Sequence, residues 1–159
     1  MSEGNTGGIS AYPFVSFHFK VSFNKLDGKD ITMGFQSVEG LKIASTPTTW
    51  KEGGENRFEH SLIERPKYGP LILKRGLITD TRLYEWCFDV FYNMKIRPVD
   101  LNVTLLDEAH QPIMNWNVVH AIPTSWDVSS FDATKSEVVI ESLQFAYNYF
   151  TIGELPVTD

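Results

Sequence analysis

An alternating stretch near the start of the chain limits the possible folds more than any other feature. The apolar side chains Val15, Phe17, Phe19, Val21 and Phe23 are separated by single, mostly polar residues. Successive side chains of a β-strand point to opposite faces, so this period of two predicts a strand with one buried, aromatic-rich face. Such a face must be covered by a second layer of structure.

Similar signals predict that most of the remaining chain is also β. A turn at 24–29, which contains Asp27-Gly28, follows the first strand. We predict the other strands over residues 31–44 with a break near Glu39-Gly40, 56–64, 99–106, 113–121 and 136–150, with a bend at Pro123 and Trp126 before the last. Residues 71–76 are a short apolar run that ends at Gly76.

One segment has helical periodicity, and it is predicted to form a helix over about 80–95. Its apolar residues recur at the spacing of one helix face: Leu83, Trp86, Cys87, Val90, Phe91 and Met94. Five of these, Leu83, Trp86, Cys87, Val90 and Phe91, are predicted to pack the helix on a sheet. The predicted fold is therefore mainly β, an antiparallel barrel or sandwich with one packed α-helix.

Composition sets the domain organisation and excludes several classes of partner. With 159 residues and 13% aromatic content, one domain over 12–159 is expected, preceded by a flexible Gly- and Ser-rich arm over 1–11. The net charge of −6 argues against non-specific binding to nucleic acid or to anionic membranes. The N-terminus has neither the basic nor the apolar region of a secretory signal, and no membrane-spanning run is present.

No catalytic or metal-binding pattern stands out, so we expect no enzyme activity, no cofactor and no metal. The four histidines, His18, His60, His110 and His120, lack paired metal-ligand spacing. The single cysteine, Cys87, lies on the apolar helix face and is interpreted as a core residue. Gly53-Gly54 is not followed by Lys-Ser or Lys-Thr, which argues against a phosphate-binding loop.

The order of several short motifs is more informative than any of them alone. Along residues 14–150 the sequence reads, in order, SVEGL at 37–41, WKEGGEN at 50–56, YGPLILKRG at 68–76, LYEW at 83–86, RPVDL at 97–101, AIPTSW at 121–126, DA at 132–133 and EVVIESL at 137–143. This series resembles the tube proteins of contractile phage tails and of extracellular contractile injection systems, which share the fold of Hcp. Trp50 stands where the family commonly has tyrosine, and residues 62–66 replace a Leu-Pro-Gly-like segment.

The resemblance implies a structural subunit of a phage tail-like particle. Six copies would form a ring, and rings would stack into a hollow tube that delivers cargo through a target envelope. The implied partners are other copies of the chain, a sheath outside the tube, baseplate and tube-cap proteins at its ends, and protein cargo, or DNA in a phage, in the lumen. The family also implies assembly in the bacterial cytoplasm and release with the particle, without membrane insertion of the subunit.

Two sets of residues are predicted to serve this assembly. The glycine-containing loop is predicted to contact a neighbouring subunit or ring through Thr48, Trp50, Lys51, Glu52, Gly53, Gly54, Glu55 and Asn56. The lumen is predicted to be lined by uncharged polar residues of alternating strands: Gln36, Asn102, Thr104, Asn115 and Asn117.

Alternatives from other classes remain open at this level. Within the same fold, the chain could be a phage tail tube protein that conducts DNA or the tube protein of a type VI secretion system. A carbohydrate-binding β-module would use Trp50, Trp116 and Trp126 as its surface, although aromatic residues more often anchor cores and interfaces. A small hydrolase would use the scattered carboxylates and histidines.

Overall fold

The computed structural model describes residues 18–26, 28–50, 53–54, 60–76, 81–130, 132–135 and 139–153. These residues form β-strands with one α-helix, as predicted. The strands, in chain order, are β1 His18–Leu26, β2 Lys29–Phe35, β3 Ser37–Glu39, β4 Ile43–Ala44, β5 Pro47–Trp50, β6 His60–Ile63, β7 Lys67–Tyr68, β8 Leu71–Gly76, β9 Val99–Leu106, β10 Pro112–Val128, β11 Ile140–Ala146 and β12 Tyr149–Gly153. Helix α1 spans Thr81–Asn93, between β8 and β9.

The main strands form two antiparallel sheets that share the long strand β10. The front sheet has the order β2-β1-β9-β10-β12, and the back sheet has the order β10-β11-β8-β3. The first half of β10 pairs with β9 and β12, and its second half pairs with β11. Two short ribbons, β4–β7 and β5–β6, lie outside both sheets. The result is an open barrel, because β2 and β3 follow each other in the chain without pairing.

The core lies between the two sheets and the helix. Alternate residues in the central parts of β1 and β9, including Val21, Phe23, Leu101 and Val103, are buried, which is what the alternation predicts. The Trp86 side chain of the helix lies in this core and stacks on Phe145, with ring centroids 5.7 Å apart. No helix among the described residues is long and apolar enough to cross a membrane.

The helix ends two residues before the predicted end at about 95. The helix ends at Asn93, and Met94 adopts a left-handed backbone (φ 53°) with three quarters of its surface exposed. A residue in this conformation commonly terminates a helix, so the periodicity that included Met94 overran its end. Val90 and Phe91 are only partly buried, whereas Leu83, Trp86 and Cys87 are fully buried.

The predictions for the last strands also differ from the structure. Strand β10 continues through the predicted bend, because Pro123 lies beside a register irregularity between Pro123 and Ser125. A bulge tolerates a proline, which cannot donate to the ladder. The predicted final strand over 136–150 is divided into β11 and β12, with Tyr147 and Asn148 between them. Asn148 donates its N–H to the Val119 carbonyl, 3.0 Å away, so the chain turns here to follow β10 back.

Candidate functional site

The front sheet has two free edges. Strand β2 pairs with β1 and β12 pairs with β10, and neither has a second partner among the described residues. Both edges carry solvent-facing residues, including Thr32 on β2 and the 62% exposed Ile152 on β12. Unpaired edges present backbone donors and acceptors that can be satisfied by strands of another chain. The two margins of the front sheet are therefore candidate association surfaces.

Two rows of residues on the outer surface of the front sheet consist of polar residues and glycines with a single charge. Cross-strand registers align two rows over all five strands: Thr32, Ser22, Asn102, Asn117 and Thr151 in the first, and Gly34, Lys20, Thr104, Asn115 and Gly153 in the second. We call these two rows the polar face. Lys20 carries the only charge in it.

Hydrogen bonds connect neighbouring side chains of the polar face. The hydroxyls of Ser22 and Thr32 lie 3.0 Å apart, and Asn102 Nδ2 donates to Asn117 Oδ1 at 2.9 Å. Gly153 leaves room for the Asn115 side chain, because a Cβ at position 153 would approach the Asn115 amide nitrogen to 3.0 Å. The Asn102 and Asn117 amides therefore hold each other in place, whereas Asn115 Oδ1 is buried without a hydrogen-bond partner.

Four of the five predicted lumen residues fall on the polar face. Asn102, Thr104, Asn115 and Asn117 are adjacent there, although they come from strands separated along the chain. Gln36 is an exposed residue in the bend after β2, and its N–H donates to the Lys74 carbonyl of the back sheet. The sheet therefore does not place Gln36 in the two rows.

The ribbon formed by β5 and β6 contains part of the predicted contact loop. All eight of its residues are exposed, including Trp50 at 56%, Leu62 at 60% and Ile63 at 80%. A two-stranded ribbon with apolar side chains in water is marginal by itself, so the ribbon is a candidate contact surface. Reasoning from the sequence missed Leu62 and Ile63, although both stand in an apolar run beside the predicted loop.

The other predicted residues of this loop are distributed as follows. Thr48 lies on β5, where its hydroxyl donates to a carboxylate oxygen of Glu64. Gly53 and Gly54 form a turn, and Gly54 has a φ of 109°, which L side chains rarely adopt. Four predicted contact residues lie outside the described residues: Lys51, Glu52, Glu55 and Asn56.

The base of the ribbon is fixed to the body of the molecule at Gly40. Its φ is 86°, and a Cβ there would lie 1.7 Å from the Pro70 carbonyl oxygen. Beside it, Gly69 donates its N–H to the Lys42 carbonyl at 3.0 Å, where β4 and β7 pair. Any other residue at position 40 would require a strained φ and a shift of the Pro70 backbone, which gives a physical reason for the glycine in the SVEGL motif. The ribbon therefore projects from an ordered base.

A buried ion pair joins β8 and β11 of the back sheet. Arg75 Nε donates to Glu141 Oε2 at 3.0 Å, and both side chains are almost fully buried. Trp126 Nε1 donates to the other carboxylate oxygen at 2.7 Å, and its ring meets those of Tyr84 and Phe88 on the helix edge-on. Burial, together with the nearby Glu141 carboxylate, raises the pKa of Tyr84 to about 12.

Nothing in this arrangement resembles a catalytic centre. Burial raises the pKa of the Cys87 thiol to about 12, so the thiolate that a nucleophile requires is not populated at neutral pH. Within the described ranges, no three His, Cys, Asp or Glu side chains converge as metal ligands. The notable features are instead free edges, an exposed ribbon and a polar face, which are properties of a subunit that assembles.

Comparisons with known proteins identify the class of assembly. The profile of the T4-like virus tail tube protein gp19 family matches residues 15–151. The fold is similar to a chain of the anti-feeding prophage baseplate, with a TM-score of 0.77 and 27% identity over 92% of this chain and 99% of that one. It is equally similar (TM-score 0.77) to a chain of the PVC extracellular contractile injection system sheath–tube complex, with 23% identity over 97% and 100% of the two chains.

A more distant similarity extends to secretion proteins. A type six secretion system protein matches with a TM-score of 0.60 and 12% identity, over 86% of this chain and 82% of that one, which shows a shared fold alone. No curated protein sequence matches significantly. The fold and its surfaces define an inner tube subunit of a contractile injection machine. The chain belongs to the tail tube protein family.

Proposed function

We propose that this chain builds the inner tube of an extracellular contractile injection system, by closing rings of subunits through the β2 and β12 edges. The observation that carries the proposal is the front sheet, which is open at both margins and polar on its outer face. A sheet with two free edges can continue into identical neighbours, which removes every edge when the ring closes.

The strand directions specify how neighbours meet. All pairings from β2 to β12 across the front sheet are antiparallel, so β2 and β12 run in the same direction. A neighbour related by rotation places its β2 beside β12 as a parallel pair. Such head-to-tail contacts close into a ring when the rotation is a fraction of a full turn. Six copies are supported by the family resemblance and by the 6-fold symmetry named for the anti-feeding prophage baseplate.

In this ring the polar face lines the lumen. Five of its side chains, those of Ser22, Thr32, Asn102, Thr104 and Asn117, hydrogen-bond within the face, and Lys20 is its only charge. Cargo can then slide along the wall without strong electrostatic attachment, which suits a conduit. We propose a protein cargo rather than DNA, because the resemblance to injection-system tube proteins implies one. Helix α1, with the Trp126 ring against its Tyr84 and Phe88, lies across the core from this lining, on the side available to a sheath.

The β5–β6 ribbon is proposed to contact the next ring of the stack. Trp50, Leu62 and Ile63 would then lose their exposure to water on stacking, which supplies a hydrophobic driving force. The tube would meet baseplate and cap proteins at its ends. Assembly would take place in the bacterial cytoplasm before release of the particle, and the subunit itself would have a structural role without catalysis.

Cysteine cross-linking tests ring closure. A cysteine at Thr151 on β12 is combined with one at Asp30, Thr32 or Gly34, alternate outward residues of β2 that allow for the unknown stagger between neighbours. We expect at least one pair to give, after mild oxidation of assembled tubes, a ladder of cross-linked species that ends at the closed ring. The matched control is Thr151→Cys alone, which should give no ladder. Tubes that form normally while all three pairs stay uncross-linked would refute closure through these edges.

Substitutions in the ribbon test stacking separately. Ile63→Glu should leave isolated rings in negative-stain microscopy, because a buried charge at the ring contact is costly. Met94→Glu is the matched control, since Met94 is comparably exposed (75% against 80%) but lies beyond the helix. Deletion of Gly53-Gly54 should also prevent polymerisation. Long tubes formed by Ile63→Glu would contradict the assignment of the ribbon.

A further inference from the structure

Two histidines outside the proposed contacts face each other through ring nitrogens. His18 Nε2 and His110 Nδ1 are 2.7 Å apart, with ring centroids 4.5 Å apart and ring planes at 69°. In a pair of neutral imidazoles at this distance, one nitrogen donates a proton and the other presents its lone pair. Both nitrogens are therefore directed at the same small region of space.

The fold positions this pair from two different parts of the chain. His18 begins β1 opposite Leu106, the last residue of β9, and His110 lies in the turn that follows β9. Asp107 stabilises the turn, because its Oδ1 accepts the N–H groups of Ala109 and Gln111, each at 2.9 Å. The imidazole of His110 is therefore held beside β1 by backbone structure.

His110 occupies a backbone conformation in which histidine is unusual. Its φ of 58° lies in the left-handed region, where glycine or asparagine is the common choice in a turn. Backbone strain at a residue is often associated with a functional role of its side chain. Here the side chain meets a second imidazole, the ligand that zinc, copper and nickel favour.

We propose that His18 and His110 form a two-histidine binding site for a divalent first-row transition-metal ion of the nickel, copper and zinc type. Metal–nitrogen bonds of about 2.0–2.1 Å place two ligand nitrogens about 2.9–3.4 Å apart for right-angle to tetrahedral geometry. The observed 2.7 Å requires only a small outward shift of side chains that are at least partly exposed.

The chemistry of the pair also defines the ion. The metal replaces the shared hydrogen bond, and the donor ring moves its proton to its other nitrogen, so each ring presents a lone pair to the ion. In the described part of the chain no third His, Cys, Asp or Glu joins the pair, so water fills the other positions. Magnesium and calcium, which prefer oxygen ligands, are disfavoured.

Calorimetric titration of the full-length, untagged protein with nickel or zinc chloride tests the site. We expect saturable binding of one ion per subunit. His18→Gln and His110→Asn should each weaken the affinity by about tenfold or more, since even changes beyond the direct ligands cost about 10–100-fold. His120→Asn is a matched control, because His120 is also exposed and left-handed (φ 55°) but contacts Asn148 instead of an imidazole. Its affinity should be unchanged.

Circular dichroism of each variant shows whether the fold is retained, and asparagine at position 110 suits the left-handed turn. Equal metal affinity in wild type, His18→Gln and His110→Asn would overturn the proposal. Absence of saturable binding to the wild type would do so as well.

Discussion

Replacement of Trp86 tests how the helix is attached to the sheets. The side chain is 1% exposed, stacks on Phe145 and meets Phe23 edge-on at 6.1 Å between centroids. Its Nε1 donates to the Arg97 carbonyl at 2.9 Å, which connects the helix to the segment that leads into β9. Trp86→Ala removes the ring contacts and the hydrogen bond together.

The expected loss follows from burial. A buried tryptophan removes about 150–250 Å² from water, which corresponds to about 4–6 kcal/mol at about 25 cal/mol per Å². Measured replacements of buried aromatic residues by alanine cost about 3–5 kcal/mol. We expect about 4 kcal/mol for Trp86→Ala. Trp86→Phe keeps most of the ring but leaves the Arg97 carbonyl without its donor, so about 1–2 kcal/mol is expected.

The measurement is urea unfolding followed by far-UV circular dichroism, at concentrations where the subunits do not polymerise. Trp50→Ala is the control, because Trp50 is 56% exposed in the free subunit and should cost less than about 0.5 kcal/mol. A loss below about 1.5 kcal/mol for Trp86→Ala, or one equal to that of Trp50→Ala, would refute the packing described for the helix.

Three further predictions concern stability. Glu141→Leu leaves Arg75 buried without its carboxylate partner and should lower the free energy of unfolding by about 3–5 kcal/mol. The double variant Glu141→Leu/Arg75→Met should recover most of this loss, and equal urea midpoints of the single and double variants would contradict the expectation. Gly40→Ala should lower the free energy of unfolding by about 1–3 kcal/mol or fail to fold, because of the φ of 86° and the clash with Pro70. Gly53→Ala should be tolerated, because nothing lies near its Cβ, and similar unfolding curves for the two variants would count against the argument. The pKa of Cys87 rises from 9.0 to about 12 on folding, so above about pH 9 only the unfolded chain loses the thiol proton. The stability of wild type relative to Cys87→Ala should therefore fall as pH rises towards 12, and a pH-independent difference would disprove this.

The local features of the fold could be predicted where periodicity was strong and uninterrupted. Strand β9 lies where the sequence predicted it, at Val99–Leu106, and β1 buries the predicted face of Phe19, Val21 and Phe23 at least in part. Element ends were less predictable. Met94 continues the helical pattern but turns left-handed, and Pro123 suggested a bend where β10 continues as a bulged strand. Each depends on neighbours that periodicity does not include.

The candidate surfaces were only partly predictable, for a related reason. Polar residues on alternating strands indicated four members of the polar face, but their alignment into rows depends on register between β9, β10 and β12. Exposure of Leu62 and Ile63 could not be predicted, since apolar residues in a strand-like run are normally interpreted as core. The His18–His110 pair joins residues far apart in the chain, which single-sequence spacing cannot bring together.

The sequence by itself determined the class of fold, the single amphipathic helix and, through its series of motifs, membership of the tail tube family. These properties are set by local periodicity and by residues that recur in order. Only the tertiary structure decided which edges stay unpaired, which polar side chains share a face and which apolar ones face water. Those properties depend on long-range pairing, such as that of β12 with the first half of β10, whose free energy comes from contacts between distant segments.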